Sequence, residues 1–431
     1  ESTSKRLAKT HAISELLKIT SDEDIEHIIL LLRGRLFPDW NKAKIGVASK
    51  LVLKAIGTST GASIKDIENM WRDIGDLGLV AEQTIAKKTQ VTLFQQNLTS
   101  DKVFANLQKV STMEGSGSVD RKVQLIAELM SSAKPKEAKY IVRTVLEDLR
   151  VGIGDGTLRD SIVWAYMPIE INYDSEKIAI DVDREEFNKV VEIIQTAFDK
   201  SNDFGVVALA ARKGVDALEK ISLIPGNPIK VMLAQKEVNI DDAFKRVGVP
   251  AVIEYKYDGF RMQIHKFKGQ VKVFTRRLEE VTKQFPEVVQ FVTNNIAAEE
   301  FIIDCEAVGY DAKSGKYLVF QHISQRIRRK YDIEALAKKM PVELNIFDIL
   351  FCDGKNLLKE TLEKRRAVLE KIVTEKKFEI ILSHRLITSS KEEAMLFYDE
   401  SVKQGNEGVM IKNQEGIYKP GSRVGTWIKL K

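Results

Sequence analysis

The chain has 431 residues, 44% of them hydrophobic and 30% charged, with 9 prolines, 25 glycines and 2 cysteines. That balance excludes a disordered, collagen-like or disulfide-framed chain, and no apolar run reaches the ~20 residues of a membrane span. The net charge of +5 is unevenly spread: residues 226–431 carry 36 Lys/Arg against 29 Asp/Glu, and residues 1–225 carry 31 against 33.

The first ~220 residues read as helices. Ser21 is a good N-cap with Asp24 three positions on, and Ile25, Ile28, Ile29 and Leu32 then share one face. Pro38 is expected to stop that helix. A second helix opens after Gly115-Ser116-Gly117-Ser118 and aligns Val119, Val123, Ile126 and Met130. A third opens at Asp183 and aligns Phe187, Val190, Val191, Ile194 and Phe198. The stretch Leu223–Pro228, with two prolines and a glycine, predicts a linker. It divides the chain into a helical domain, 1–225, and a second domain, 226–431.

Beyond the linker the apolar period changes to two. Strands are predicted around Ile253, Met262–Ile264, Val271–Val273, Phe301–Ala307, Leu344–Leu350, Gly408–Ile411 and Trp427–Leu430, with a hairpin turn at Lys268–Gln270. A charged helix is predicted over 360–373. Strands with interspersed helices, and no Gly-rich βαβ fingerprint, give an α+β fold with mainly antiparallel sheets. The whole chain is therefore a multidomain protein, all-α first and α+β second. The five histidines show no metal-ligand spacing. With no apolar signal core behind Glu1–Lys5, the composition fits a reducing, cytoplasmic setting.

The sharpest feature is Glu254-Tyr255-Lys256-Tyr257-Asp258-Gly259-Phe260-Arg261. A lysine that ends an apolar strand reads either as a solvated hairpin corner or as a nucleophile. The second use requires an uncharged amine, and burial or neighbouring cations favour that state. Lys429 and Lys431 lie two apart on a strand, so they share a face and supply such charge. Glu306 and Glu407 are read as acidic residues in apolar strands, where a carboxylate needs a cation, a hydroxyl or a lysine beside it.

The motif resembles the signature of covalent nucleotidyl transferases, the superfamily of ATP-dependent ligases and capping enzymes. Five further segments resemble its remaining signatures in order: Phe274–Arg277, Ile303–Ala307, Ile346–Leu350, Glu407–Lys412 and Trp427–Lys431. The helical N-terminal region resembles the DNA-binding domain of archaeal and eukaryotic ATP-dependent DNA ligases, which capping enzymes lack. The resemblance implies that Lys256 takes AMP from ATP, then passes it to the 5′-phosphate of a nick in duplex DNA. Glu254 helps recognise the base, Phe347 stacks on adenine, and Arg261 and Arg276 hold ribose and phosphate oxygens. Lys412, Lys429 and Lys431 complete the nucleotide site, and Glu306 and Glu407 bind Mg²⁺.

The resemblance further implies DNA contacts at Gly115, Gly117 and Ser118 and at Arg150, Gly152, Gly154 and Thr157, where glycines at helix starts let backbone amides approach phosphates. Lys87–Phe94 resembles a short sliding-clamp-binding motif carried by Gln90, Leu93 and Phe94. A monomer is expected. Family members continue past the last motif into a C-terminal OB-fold that orients pyrophosphate, so a chain ending at Lys431 is expected to bind ATP but to adenylate poorly. An RNA ligase or GTP-using capping enzyme, and a non-catalytic DNA- or clamp-binding scaffold, are the competing readings.

Overall fold

The computed structural model describes residues 3–38, 40, 41, 43–88, 97–327, 329 and 331–431. Gln90, Leu93 and Phe94 of the clamp-like segment lie outside the described residues. The chain divides into two compact units. One comprises Glu1–Phe198 with Asp203–Ile221, the other Asp199–Asn202 with Ser222–Lys431. No described helix is long and apolar enough to cross a membrane.

The first unit is helical and carries two apolar cores. One gathers helices Ser49–Thr60, Leu77–Ala86, Ser118–Ser132 and Pro135–Val145; the other gathers Arg6–Ile19, Asp155–Tyr166 and Phe204–Lys213. Val123, Ile126 and Met130 point into the first core, whereas Val119 is exposed one turn earlier. Val190, Ile194 and Phe198 fill the second core, with Phe187 and Val191 half-buried at its rim. The Ser21–Asp24 pair forms as expected, with the Asp24 N–H donating to Ser21 Oγ at 3.1 Å, although the regular helix starts at Ile25.

That helix ends at Leu32, six residues ahead of Pro38. The Gly34 N–H reaches the Leu31 carbonyl and the Arg35 N–H the Leu30 carbonyl, both at 2.9 Å, which is a Schellman closure. The glycine stops the helix before the proline has the chance. A small hairpin, β1 (Asn172–Asp174) with β2 (Ala179–Asp181), interrupts the expected all-helical run. Strands of three residues carry too little alternation to be seen by periodicity.

The second unit holds two sheets. Its strands are β3 (Leu233–Lys236), β4 (Ala251–Tyr255), β5 (Phe260–Phe267), β6 (Gln270–Thr275), β7 (Phe301–Tyr310), β8 (Tyr317–Leu318), β9 (Val342–Cys352), β10 (Lys355–Asn356), β11 (Ile380–Leu382), β12 (Arg385–Thr388), β13 (Val409–Asn413) and β14 (Arg423–Leu430). One sheet runs β12-β4-β13-β14-β3; the other runs β10-β9-β7-β5-β6, with β11 on β9 and β8 on β7. Pairing is antiparallel except for β3 on β14 and β11 on β9. The β5–β6 hairpin turns at Lys268 and Gly269, both at positive φ, as its Lys-Gly-Gln sequence predicts. The charged helix forms over Leu362–Ile372, with the Lys364 N–H capped by Thr361 Oγ1.

The predicted linker is not a free tether. Leu223 and Ile229 are buried with Met232, Leu350 and Trp427. The Gly226 N–H donates to His265 Nδ1 at 2.9 Å, and the Ile229 N–H donates to Gln263 Oε1 at 2.9 Å. His265 Nε2 lies 3.0 Å from that same Gln263 oxygen, which fixes the Nε2–H tautomer. Burial, with Lys272 adding, pushes the His265 imidazolium down to about 3. A folded-state value below the unfolded one favours the fold above pH ~6.5, and that contribution is lost as the pH falls, at about 1.4 kcal/mol per pH unit. Ring ¹⁵N shifts of His265 are expected to stay those of a neutral imidazole from pH 8 to 4. A His265→Gln variant should show a shallower acid limb in urea unfolding. Titration of His265 near pH 6.5 in the folded protein would contradict this.

Candidate nucleotide-binding cleft

Register explains why the predicted residues meet. Lys412 on β13 pairs with Val252 on β4, and Met410 with Glu254, so Glu254 and Lys412 stand on one face. Lys412 also faces Trp427 across β13–β14, and Met410 faces Lys429. Glu254, Met410, Lys412, Trp427 and Lys429 therefore share one side of this sheet, and Lys431, one residue past the end of β14, lines the same cleft. Lys412 Nζ is 2.5 Å from Glu254 Oε2, both side chains almost fully buried, and lies 4.4 Å from the Trp427 ring and 5.0 Å from the Phe347 ring. A buried pair of this kind is tolerable only because each charge meets the other.

The second sheet contributes from β5, β7 and β9. Arg261 faces Glu306 across β5–β7. Asp304 faces Asp348 across β7–β9, yet the next residue, Cys305, faces Ile346. Phe347 is the extra residue of a β-bulge, and a bulge re-aims its side chain. It is half-buried and lines the cleft, its ring 5.2 Å below the Arg261 guanidinium and edge-on to Trp427 at 6.1 Å. The neighbouring Asp348 points into the protein, where Arg365 grips it with Nε at 2.6 Å and Nη2 at 2.9 Å.

Lys256 follows directly after β4. Its N–H donates to the Gly408 carbonyl at 2.9 Å, and its carbonyl accepts from the Glu407 N–H at 2.8 Å. These bonds set Glu407 beside it, and Lys256 Nζ ion-pairs with Glu407 Oε2. Glu407 precedes β13 and does not lie within it. Gly408 has φ +133°, and a Cβ there would collide with the Leu430 carbonyl, so only glycine makes this turn. Gly259 is required for a different reason: its Cβ would lie 2.6 Å from the Ala307 carbonyl and 2.8 Å from Glu306 Cγ.

The charges form an alternating cluster. Glu407 bridges Lys256 and Lys431. Burial raises the Glu407 pKa, but its bonds to the two lysines outweigh this and hold it below the usual range. Glu306 is the opposite case. Burial pushes it up to about 8, against the pull of Arg261 and Lys256 and with Glu407 and Asp304 adding to the rise. Among the described residues no side chain hydrogen-bonds the Glu306 carboxylate. Lys429 makes no ion pair among the described residues; burial, then Arg423 and Lys256, lower its pKa. Arg276 is exposed at the rim.

Together these residues line a cleft of about 1380 Å³ within the second unit, and Leu233, Thr275 and Met410 add to its wall. The cleft is large enough for a nucleotide and its phosphates. It offers an aromatic face at Phe347, cations at Lys256, Lys429 and Arg276, and carboxylates at Glu306 and Glu407. Two hard oxygen donors, both half-buried and facing the cleft, one of them with no side-chain hydrogen bond among the described residues, fit a small divalent cation such as Mg²⁺.

Sequence reasoning missed the residues that hold this set in place. Arg261 Nη2 is 2.8 Å from Asp304 Oδ2, and Arg261 Nη1 donates to the Met232 carbonyl at 2.8 Å. Tyr418 joins them from the loop before β14. Asp304 lies inside a predicted motif, so its buried position on an apolar strand was a usable signal; Tyr418 gave none.

The glycine loops lie in the first unit. Gly117 is the N-cap of helix Ser118–Ser132, and Gly115 accepts from the Ser118 N–H. Gly154 is the N-cap of helix Asp155–Tyr166, and Gly152 stands at φ +62°. Arg150 is tied to Asp148 at 2.7 Å and Asp76 at 3.1 Å, and Thr157 is buried.

Residues 231–431 match the family model described as the ATP dependent DNA ligase domain, and residues 1–163 match the DNA ligase N terminus. A DNA ligase of Nanoarchaeum equitans is 43% identical over 432 residues, covering 100% of this chain and 72% of that protein. A DNA ligase of Thermococcus onnurineus is 38% identical, covering 100% of this chain and 73% of its own length. Among solved structures, mycobacterial DNA ligase D complexed with ATP and MES is similar, at 25% identity, over 47% of this chain and 59% of that one, with a TM-score of 0.36.

Proposed function

Because this chain belongs to the ATP-dependent DNA ligase family, we propose that its cleft takes ATP and that Lys256 captures the adenylate on the way to sealing nicks in duplex DNA. The observation that carries this reading is the convergence of Lys256, Glu254, Arg261, Glu306, Phe347, Glu407, Lys412 and Lys429 on one cleft from positions up to 175 residues apart. Lys256 Nζ attacks the α-phosphorus, a P–N bond forms, and pyrophosphate leaves. The AMP then passes to the 5′-phosphate of a nick, and the 3′-hydroxyl displaces it. Each displacement depends on positioning and charge more than on acid–base chemistry.

Phe347 gives the adenine a stacking face, and Glu254, fixed by Lys412, offers an acceptor to its amino group. Arg261 and Arg276 meet ribose and phosphate oxygens. Lys429 is the cation best placed to meet the α-phosphate, since Lys431 is engaged by Glu407. Glu407 holds Lys256 in an ion pair, so the amine must give up its proton before it attacks. Glu306 and Glu407 would hold Mg²⁺, which supplies charge neutralisation on the phosphate oxygens. Duplex DNA meets the first unit at the amide-rich turns Gly115–Ser118 and Gly152–Thr157.

The test is intact mass after incubation with ATP and Mg²⁺. A single AMP adduct, labile to acid as a phosphoramidate is, supports the reading; labelling by GTP in place of ATP, or the absence of both adduct and ATP binding, overturns it. Glu407→Gln, which keeps the shape but removes a charge from two lysines and from the metal, is expected to slow adduct formation by about 10²-fold. An unchanged rate in a time course would remove Glu407 from the chemistry.

A further inference from the structure

The loop between β13 and β14, with the first residue of β14, is stitched to β3 and to the residues just before it. The Gly421 N–H donates to the Lys230 carbonyl at 3.1 Å, the Leu233 N–H to the Ser422 carbonyl at 2.9 Å, and Arg423 Nη1 to the Ala234 carbonyl at 2.9 Å. Tyr418 sits at the centre of this seam and is fully buried. Its hydroxyl donates to Asp304 Oδ2 at 2.6 Å, accepts from the Met232 N–H at 3.0 Å, and lies 3.3 Å from Arg261 Nη2. One donor and two acceptor sites are all that a phenol has, and all are in use.

Among the described residues, both other hydrogen-bond partners of Arg261 belong to residues that this hydroxyl also holds. Asp304 takes both the Tyr418 proton and Arg261 Nη2 on the same oxygen. The Met232 carbonyl takes Arg261 Nη1, while the Met232 N–H is held by Tyr418. Arg261 Nε is buried and has no acceptor among the described residues, so the hydrogen bonds that fix the guanidinium come from its two Nη atoms. The Tyr418 ring stands edge-on to Trp427 at 6.1 Å, and Trp427 stands edge-on to Phe347 at the same distance. Burial, with Asp304 beside it, raises the phenol far above its ordinary range, so the hydroxyl keeps its proton at every working pH.

We propose that Tyr418 is a positioning residue for nucleotide capture: its hydroxyl fixes Arg261 in the cleft through Asp304 and Met232, so that its loss weakens ATP binding by way of Arg261. This rests on the reading of the cleft as an ATP site. It assigns a role to a residue outside the six signature segments, and it gives the segment before β3 a purpose beyond packing.

The experiment is a double-mutant cycle read by calorimetric titration of the full chain with ATP and Mg²⁺. Tyr418→Phe, which keeps the ring and removes only the hydroxyl, is expected to raise the Kd for ATP about tenfold. Arg261→Lys is expected to raise it at least as much. In the Arg261→Lys background, Tyr418→Phe should change the Kd less than twofold, because the group it positions is already gone. Multiplicative effects in the double variant, or an unchanged Kd in Tyr418→Phe, would overturn the proposal and leave Tyr418 a packing residue. Should Tyr418→Phe melt or fail to fold, Tyr418→Met takes its place in the cycle, since it fills the apolar pocket and likewise removes the hydroxyl. The same coupling is then expected, and additivity overturns the proposal. Wild-type Kd in Arg261→Lys overturns it as well, with the Lys256 adduct still standing. Absence of ATP binding and of adduct in the unmodified chain is a different result and overturns the cleft reading itself.

Discussion

Replacing Lys256 by arginine is expected to abolish the AMP adduct while leaving ATP binding within a few-fold of the unmodified chain. An arginine at this position keeps a positive charge opposite Glu407, but a guanidinium stays protonated and does not attack phosphorus. Removing a catalytic nucleophile costs on the order of 10⁴–10⁶ in rate, so no adduct should be detectable by intact mass. Lys256→Ala gives the same loss and also frees Glu407. The neighbouring lysines do not substitute. Lys412 is locked into Glu254 and Lys431 into Glu407. Lys429 is the one to watch, because its charge is weakened by burial and by the cations around it. Peptide mapping that places AMP on Lys429 in the Lys256→Arg chain would displace Lys256 from the role proposed for it.

The second large effect is on stability. Arg365 and Asp348 are both fully buried, and the Arg365 guanidinium also donates to the Glu360 carbonyl at 2.6 Å and the Gly416 carbonyl at 3.2 Å. Asp348 stands opposite Asp304 in the β7–β9 register, so two buried carboxylates are neighbours and each depends on its own arginine. Arg365→Met leaves Asp348 without its counter-charge and should destabilise the second unit by about 3–5 kcal/mol. Restoring neutrality with Asp348→Leu in the same chain should recover most of that loss. Urea unfolding followed by tryptophan fluorescence, with Trp427 in this unit, reports it. A single Arg365→Met change of less than about 1 kcal/mol would show that water or a relaxed backbone satisfies Asp348.

Much of this is legible in the sequence. Lys256 at the end of an apolar strand, Gly259 after Asp258, and the lysines two apart at the chain's last strand are patterns of adjacent residues, and Lys429 and Lys431 do line one cleft, although only Lys429 lies within β14. The hairpin at Lys268–Gly269 was legible for the same reason. The misreadings share an opposite cause. Pro38 is the stronger helix breaker by type, yet Gly34 comes first along the chain and closes the helix. Leu223–Pro228 has the composition of a linker, yet His265, 39 residues on, binds the Gly226 N–H, and Gln263 holds the backbone of Ile229 just after it.

What the sequence determined alone was the chemistry available: which strand ends in an amine, which strands carry a stray acid, and in what order they come. Only the tertiary structure decided the partners. Glu254 meets Lys412, Asp304 meets Tyr418, and Glu407 meets Lys256 across separations of 158, 114 and 151 residues. Sheet register sets the first of these, the loop before β14 brings Tyr418 to the second, and the backbone bonds between Lys256 and Glu407–Gly408 set the third. A pairing between distant strands depends on the positions of both in space, and neither strand's own residues carry that information.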